Sequence, residues 1–164
     1  MKKLYLIGGP MGVGKTAASR ALQARLSNCV FLDGDWCWDM RPFQVTEETR
    51  AMVLDNICHV LNNFLRCSVY AAAIFCWVMH ERDIIDRILS RLDTAGWETA
   101  AVSLICDRET LARRLQRDID RGLRTPDVIP RAMERLACYG ALDTVRLDTT
   151  HMTPEETAEA ILRL

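Results

Sequence analysis

No stretch of this 164-residue chain reaches the roughly 18 consecutive apolar residues that a membrane-crossing helix requires. Its basic start, Lys2-Lys3, runs directly into an ordered-looking strand and a glycine-rich loop, unlike a secretory leader. The cytoplasm is therefore the expected compartment. No C-x-x-C pair is present, and the seven cysteines are odd in number, several of them in apolar runs. That pattern excludes a disulfide framework or a zinc finger and leaves buried, reduced thiols. Neither sign of charge is in excess: 21 Lys and Arg stand against 22 Asp and Glu, a net charge of −1. A balance of that kind gives no bulk attraction to nucleic acid. There is no Asn-Lys-x-Asp to read guanine, no internal repeat, no low-complexity tract and no linker. One domain spanning 1–164 follows from the length.

Against those absences stands one complete motif. Lys2 to Ile7 is a short apolar run, too continuous for a strand with one wet face, and reads as a central strand covered on both sides. It is followed by Gly9-Pro10-Met11-Gly12-Val13-Gly14-Lys15-Thr16, which fits G-x-x-x-x-G-K-[ST] without a gap. The glycines let the backbone curl into a ring whose N–H groups face phosphate oxygens. Lys15 places an ammonium against the β- and γ-phosphates of ATP, and the Thr16 hydroxyl is a ligand for Mg²⁺. A helix expected over 16–26 adds the partial positive charge of its N-terminus.

Strands and helices then alternate. Strands are expected at 29–32, 69–77, 99–106 and 144–147, and helices from Thr46, over 80–92, from Glu109 to Gly122, over 127–139, and from Thr153 to Arg163. Thr46 and Thr153 read as N-caps, the second with proline at the first helical position and a capping box. Val53, Ile57, Leu61 and Phe64 form one helical stripe; Ile84, Ile88 and Leu92 form another. Strands covered on both faces and joined by helices imply a parallel sheet with right-handed crossovers. The expected fold is thus α/β, a three-layer α/β/α sandwich on a five-stranded parallel sheet. Ligands belong at the carboxyl ends of its strands.

The second strand ends in Asp33-Gly34-Asp35. Alternate positions put both carboxylates on one side of the chain, beside the phosphate loop. One can orient Mg²⁺ through water, and the other can accept a hydroxyl proton from a phosphoryl acceptor. An Asp-Gly-Asp turn is common by itself; its position next to the loop is what makes it a candidate.

An N-terminal phosphate loop with an aspartate pair after the second strand resembles the small P-loop kinases. These include the shikimate, gluconate, adenylylsulfate and nucleoside monophosphate kinases and chloramphenicol phosphotransferase. Phe31-Leu32-Asp33-Gly34-Asp35 is similar to the Leu-Asp-Gly-Asp-Asn of adenylylsulfate kinases and the Asp-x-Asp of shikimate kinases. The resemblance implies a P-loop NTPase fold with a lid near 114–130. It implies that Asp33 is the magnesium-side carboxylate and Asp35 the acceptor-side base. Arg114, Asp118 and Arg121 resemble a shikimate kinase run in which the first arginine stacks on adenine and the last belongs to the lid. Arg117 and Arg124 are further lid candidates. The adenine itself is expected near Asp148-Thr149-Thr150-His151-Met152, with His151 a surface residue.

The chain departs from that group visibly. Trp36 and Trp38 replace the Asn and Arg that follow the aspartates of adenylylsulfate kinases, which argues against adenylylsulfate as acceptor. Arg121 runs into Gly122-Leu123 instead of Pro-Leu-Leu. No acid ends the third strand, where many phosphate-loop proteins carry one; either Asp33 takes that role or Glu81 reaches back. Trp36, Trp38, Phe43 and Trp77 either wall an acceptor pocket or belong to the core. His80 either bonds an acceptor or caps the following helix. The expected activity is ATP- and Mg²⁺-dependent phosphoryl transfer to a small molecule, foremost a nucleoside or nucleotide. The alternatives are a hydroxylated metabolite or antibiotic as acceptor, or a nucleotide-gated ATP-binding protein that is not a kinase.

Overall fold

Apolar residues on both faces of strand β1 (Lys2–Gly8) place it at the centre of the sheet. The computed structural model describes residues 2–164. Strands β2 (Cys29–Asp33), β3 (Ala72–Cys76), β4 (Trp97–Ile105) and β5 (Val145–Asp148) complete a five-stranded sheet in the order β2-β3-β1-β4-β5. All pairings are parallel. Alternation sends Tyr5 and Ile7 to one face and Leu4 and Leu6 to the other.

Each face has its own core. Tyr5 and Ile7 pack with helices α1 (Lys15–Arg25), α4 (Arg108–Asp120), α5 (Val128–Cys138) and α6 (Pro154–Leu162) through Leu22, Leu111, Leu115, Ala132 and Ile161. Leu4 and Leu6 pack with α2 (Glu47–Arg66) and α3 (Arg82–Leu89) through Val53, Ile57, Leu61, Ile85 and Ile88. The expected sandwich is the observed one. Each fully buried leucine or isoleucine contributes about 1.5–3 kcal/mol, so two-sided coverage is what makes so short a central strand stable. Among the described residues no helix is long and apolar enough to cross a membrane.

Helix ends follow local chemistry. Thr46 and Thr153 each accept from the third helical residue and complete capping boxes with Thr49 and Glu156, and Pro154 opens α6. Helix α4 stops before the Arg-Thr-Pro expected to break it. Leu123 N–H donates to the Asp118 carbonyl and Gly122 N–H to that of Ile119, the paired bonds of a Schellman end. Three expected boundaries shift. Strand β3 begins at Ala72, not Val69, which is exposed, because pairing with β1 and β2 starts there. Strand β4 begins earlier, at Trp97, opposite Lys2. Helix α3 is shorter than 80–92; its buried stripe is Ile85 and Ile88, and Leu92 packs from the tightened turn beyond the helix.

Candidate functional site

The phosphate loop joins the central strand to α1. Helix α4 lies directly against it: a Cβ on Gly12, whose φ is 82°, would stand 2.5 Å from the Leu115 side chain. Only glycine meets both the backbone and the space. Lys15 Nζ donates to the carbonyls of Gly9 and Pro10, at 2.9 Å each. Its ammonium is thus held over the loop by the loop's own backbone. Burial lowers its pKa to about 8, with Cys76, Asp35 and Asp33 opposing the shift.

The end of β2 meets this loop. Thr16 Oγ1 donates to Asp33 Oδ2 at 2.7 Å, and the Asp35 amide donates to Asp33 Oδ1 at 3.0 Å. Asp33 is buried, whereas Asp35 opens to the cleft. Desolvation raises the pKa of Asp35, Asp33 adds to the rise, and Lys15, Arg124 and the Trp77 indole oppose it. Gly34 allows the two aspartates their positions. A Cβ there would lie 2.5–3.0 Å from the Cγ, Cδ1 and Cβ atoms of Trp77, which are too near the Trp77 backbone to swing away. Gly34→Ala is expected to destabilise the fold by about 1–3 kcal/mol through overpacking. Each kcal/mol lowers the melting temperature by about 2–4 °C in a chain of this size. Thermal unfolding checks this, and an unchanged transition would show that Trp77 repacks freely.

A cavity of about 450 Å³ opens above the loop, lined by Met11 to Thr16, by Asp33 and Asp35, and by Arg114, Arg117, Arg121 and Arg124. The structure therefore brings together nearly every residue expected at the site. Gly9 and Pro10 are buried behind the loop and do not line the cavity. The four arginines differ. Arg114 donates to the carbonyls of Val13 (2.9 Å) and Thr149 (2.8 Å), bolting the phosphate loop to the segment after β5. Arg124 pairs with Asp118 through its Nε at 3.2 Å and is the arginine that acts electrostatically on both Lys15 and Asp35. Arg117 and Arg121 are exposed on the rim.

A family model described as an AAA domain matches residues 6–126, the span from β1 through the loop, the aspartates and α4. This chain belongs to that family. It is a P-loop protein. No curated protein matches it by sequence. Among solved structures it is similar to the tunicamycin resistance protein of Deinococcus radiodurans, at 20% identity and a TM-score of 0.72, covering 99% of this chain and 95% of that one. It is also similar to a gluconokinase from Sinorhizobium meliloti 1021 (18%, 0.70, 98% and 91%) and to shikimate kinase from Acinetobacter baumannii in complex with shikimate (20%, 0.64, 99% and 92%). At such identities the likeness is one of fold.

Within this AAA domain Asp33 touches Thr16, while Glu81 Oε1 lies 3.3 Å from His80 Nε2. A hydroxyl beside a buried carboxylate is a hard oxygen donor set, the kind Mg²⁺ takes together with waters and phosphates. Cys76 ends β3, paired in register with Asp33 and buried. Burial pushes its thiol up to about 12, so it adds no charge there. His80 does not cap α3, whose N-cap is Glu81, and it lines neither the phosphate cavity nor the aromatic cavity that Trp36, Trp38 and Phe43 line. His151 is exposed, as expected.

The aromatics divide. Trp77 is half-buried, tilted against Phe75 at 6.5 Å. Trp36, Trp38 and Phe43 line a second, open cavity of about 570 Å³ together with Asp35 and Asp39. Two supports of the phosphate loop had no sign in the sequence. Fully buried Tyr139 sits at the Gly9 amide and donates its hydroxyl to the Val78 carbonyl. Arg135 on α5 reaches Met11 Sδ at 3.0 Å. Both are distant in sequence from the loop they hold, and their spacing signals nothing.

Proposed function

We propose that this protein is an ATP- and Mg²⁺-dependent kinase that transfers a γ-phosphoryl group to a small-molecule acceptor, foremost a nucleoside or nucleotide. One observation carries the reading: among the described residues Asp35 is the residue shared by the linings of the phosphate cavity and the aromatic cavity. A carboxylate at that junction stands where an acceptor hydroxyl would meet a terminal phosphate. The loop amides and Lys15 bind and neutralise the triphosphate, with Arg124 and the rim residues Arg117 and Arg121 closing over it. Arg114 holds the loop against the adenine-side segment. Thr16 and Asp33 would hold Mg²⁺, which when bound supplies charge neutralisation at the phosphates. Asp35 orients the acceptor hydroxyl and takes its proton as the new P–O bond forms. Loose phosphoryl-transfer transition states need such positioning more than covalent help.

The neutral, buried Cys76 in place of an acid at the end of β3 favours one other reading, a nucleotide-gated binding protein with slow hydrolysis. Calorimetric titration with ATP and Mg²⁺, followed by an acceptor screen for ADP release, separates them. The kinase reading expects acceptor-stimulated turnover; binding without stimulation by any acceptor supports the gated binder.

A linked prediction concerns protons. With its pKa near 8 in the free protein, Lys15 is partly neutral at pH 8. A triphosphate beside it favours the charged form. ATP binding at pH 8 is therefore expected to take up about half a proton, and affinity to fall as pH rises through 8. Titration in two buffers of different ionisation enthalpy measures the uptake, which Lys15→Met should abolish.

A further inference from the structure

The aromatic cavity has a definite chemical character. Trp38 and Phe43 meet edge to face, with ring centroids 5.7 Å apart, and Phe43 remains 60% and Trp36 50% exposed. The polar groups in the lining are the carboxylates of Asp35 and Asp39; no lysine or arginine lines it. Arg20, the cation near Trp36 at 5.3 Å from the ring centroid, also lies over Phe31 at 4.7 Å and donates to Gln23. It is engaged on a face outside the cavity lining.

We infer that the acceptor taken by this cavity is a hydroxylated compound with a planar ring and a positively charged amine, and that Asp39 with the Trp36, Trp38 and Phe43 rings selects it. The inference rests on the reading of the cleft as a phosphoryl-transfer site and deepens it by removing nucleotides, and any other acceptor that carries phosphate or carboxylate, from the acceptors named above. Aromatic faces and carboxylates attract the same ligand charge. A cation over a tryptophan ring gains from the ring quadrupole, most when both are desolvated, and a carboxylate beside it adds a charge-assisted hydrogen bond. An acceptor phosphate would meet two aspartates in this lining, with Lys15 and Arg124 acting from the far side of Asp35, and like charge at the lining disfavours it. The amine also separates this cavity from its neighbour. The phosphate cavity presents Lys15 and four arginines, so anionic and cationic substrates are sorted to opposite sides of Asp35. The ring then lies among the aromatics with its hydroxyl toward Asp35.

The test uses three probes that share a ring and a hydroxyl: 4-(hydroxymethyl)benzylamine, 1,4-benzenedimethanol and 4-(hydroxymethyl)benzoate. Quenching of tryptophan fluorescence in the full chain, with a non-hydrolysable ATP analogue present, reads their binding. The expected order is amine, then neutral alcohol, then carboxylate. Asp39→Asn should weaken the amine by about tenfold, a typical single charge contact, and leave the neutral probe and the ATP analogue unchanged. Equal affinities, tightest binding of the carboxylate, no quenching by any probe, or an unaltered amine affinity in Asp39→Asn would each overturn the inference. ADP release stimulated by an anionic acceptor would overturn it too, while leaving the kinase reading intact. Amine-selective binding that never stimulates ADP release, whatever the amine-bearing alcohol offered, would leave the selectivity standing and remove the kinase reading.

Discussion

Replacing Lys15 by alanine is expected to reduce phosphoryl transfer by on the order of 10³-fold, the scale on which single charged groups stabilise phosphoryl-transfer transition states. The fold should survive. The ammonium bonds to the Gly9 and Pro10 carbonyls, and water can enter the space the side chain leaves beside them. Holding this group half-buried disfavours its charge, as its lowered pKa records, so the variant should melt no lower than the parent. A coupled assay for ADP release and a thermal melt, run side by side, give both values. Full turnover in Lys15→Ala would remove the ammonium from the mechanism; a collapsed melting transition would show instead that the two carbonyl contacts hold the loop together.

The second large effect belongs to Asp35. Asp35→Asn keeps size and shape but cannot take a proton, and turnover is expected to fall by about 10²–10⁴-fold, the usual contribution of a positioned base. Nucleotide affinity should hold or tighten, because a negative charge next to the phosphates disappears. The Asp35 amide bond to Asp33 is made by the backbone and survives the change. The pH profile gives an independent check. Burial and the neighbouring Asp33 raise the pKa of Asp35, so activity should fail on acidification at a higher pH than an ordinary carboxylate, about 3.9, would dictate. The asparagine variant should lack that acidic limb. Unchanged turnover in Asp35→Asn would take the residue out of the base role.

Much of this site could be read from residue order. The loop motif names Lys15 and Thr16, and Asp33 lies at a distance along the chain that a strand–helix–strand unit brings back beside them. In the structure Thr16 Oγ1 and Asp33 Oδ2 lie 2.7 Å apart. The arginines were legible only as a group. The four arginines from Arg114 to Arg124 follow helical spacing as far as α4 runs; beyond Asp120 the Schellman turn redirects the chain and turns Arg124 toward Lys15 and Asp35. The resemblance to the shikimate kinase run ranks Arg121 above it. Likewise the periodicity of α3 pointed to Ile84, since a stripe drawn through 92 assumes a helix longer than the one that forms.

The residue sequence by itself determined the layered α/β fold, the phosphate loop and the aspartate pair. Those depend on local pattern: two-sided apolar strands, capping boxes, and glycines at the positions where the loop must curl. Tertiary structure alone decided that Arg114 is a bolt, that Tyr139 and Arg135 underpin the loop, and that Trp36, Trp38 and Phe43 open a cavity while Trp77 packs on Gly34. Such choices are set by which distant segments meet across the ends of a parallel sheet. Crossover geometry brings those segments together, and no neighbour along the chain encodes it.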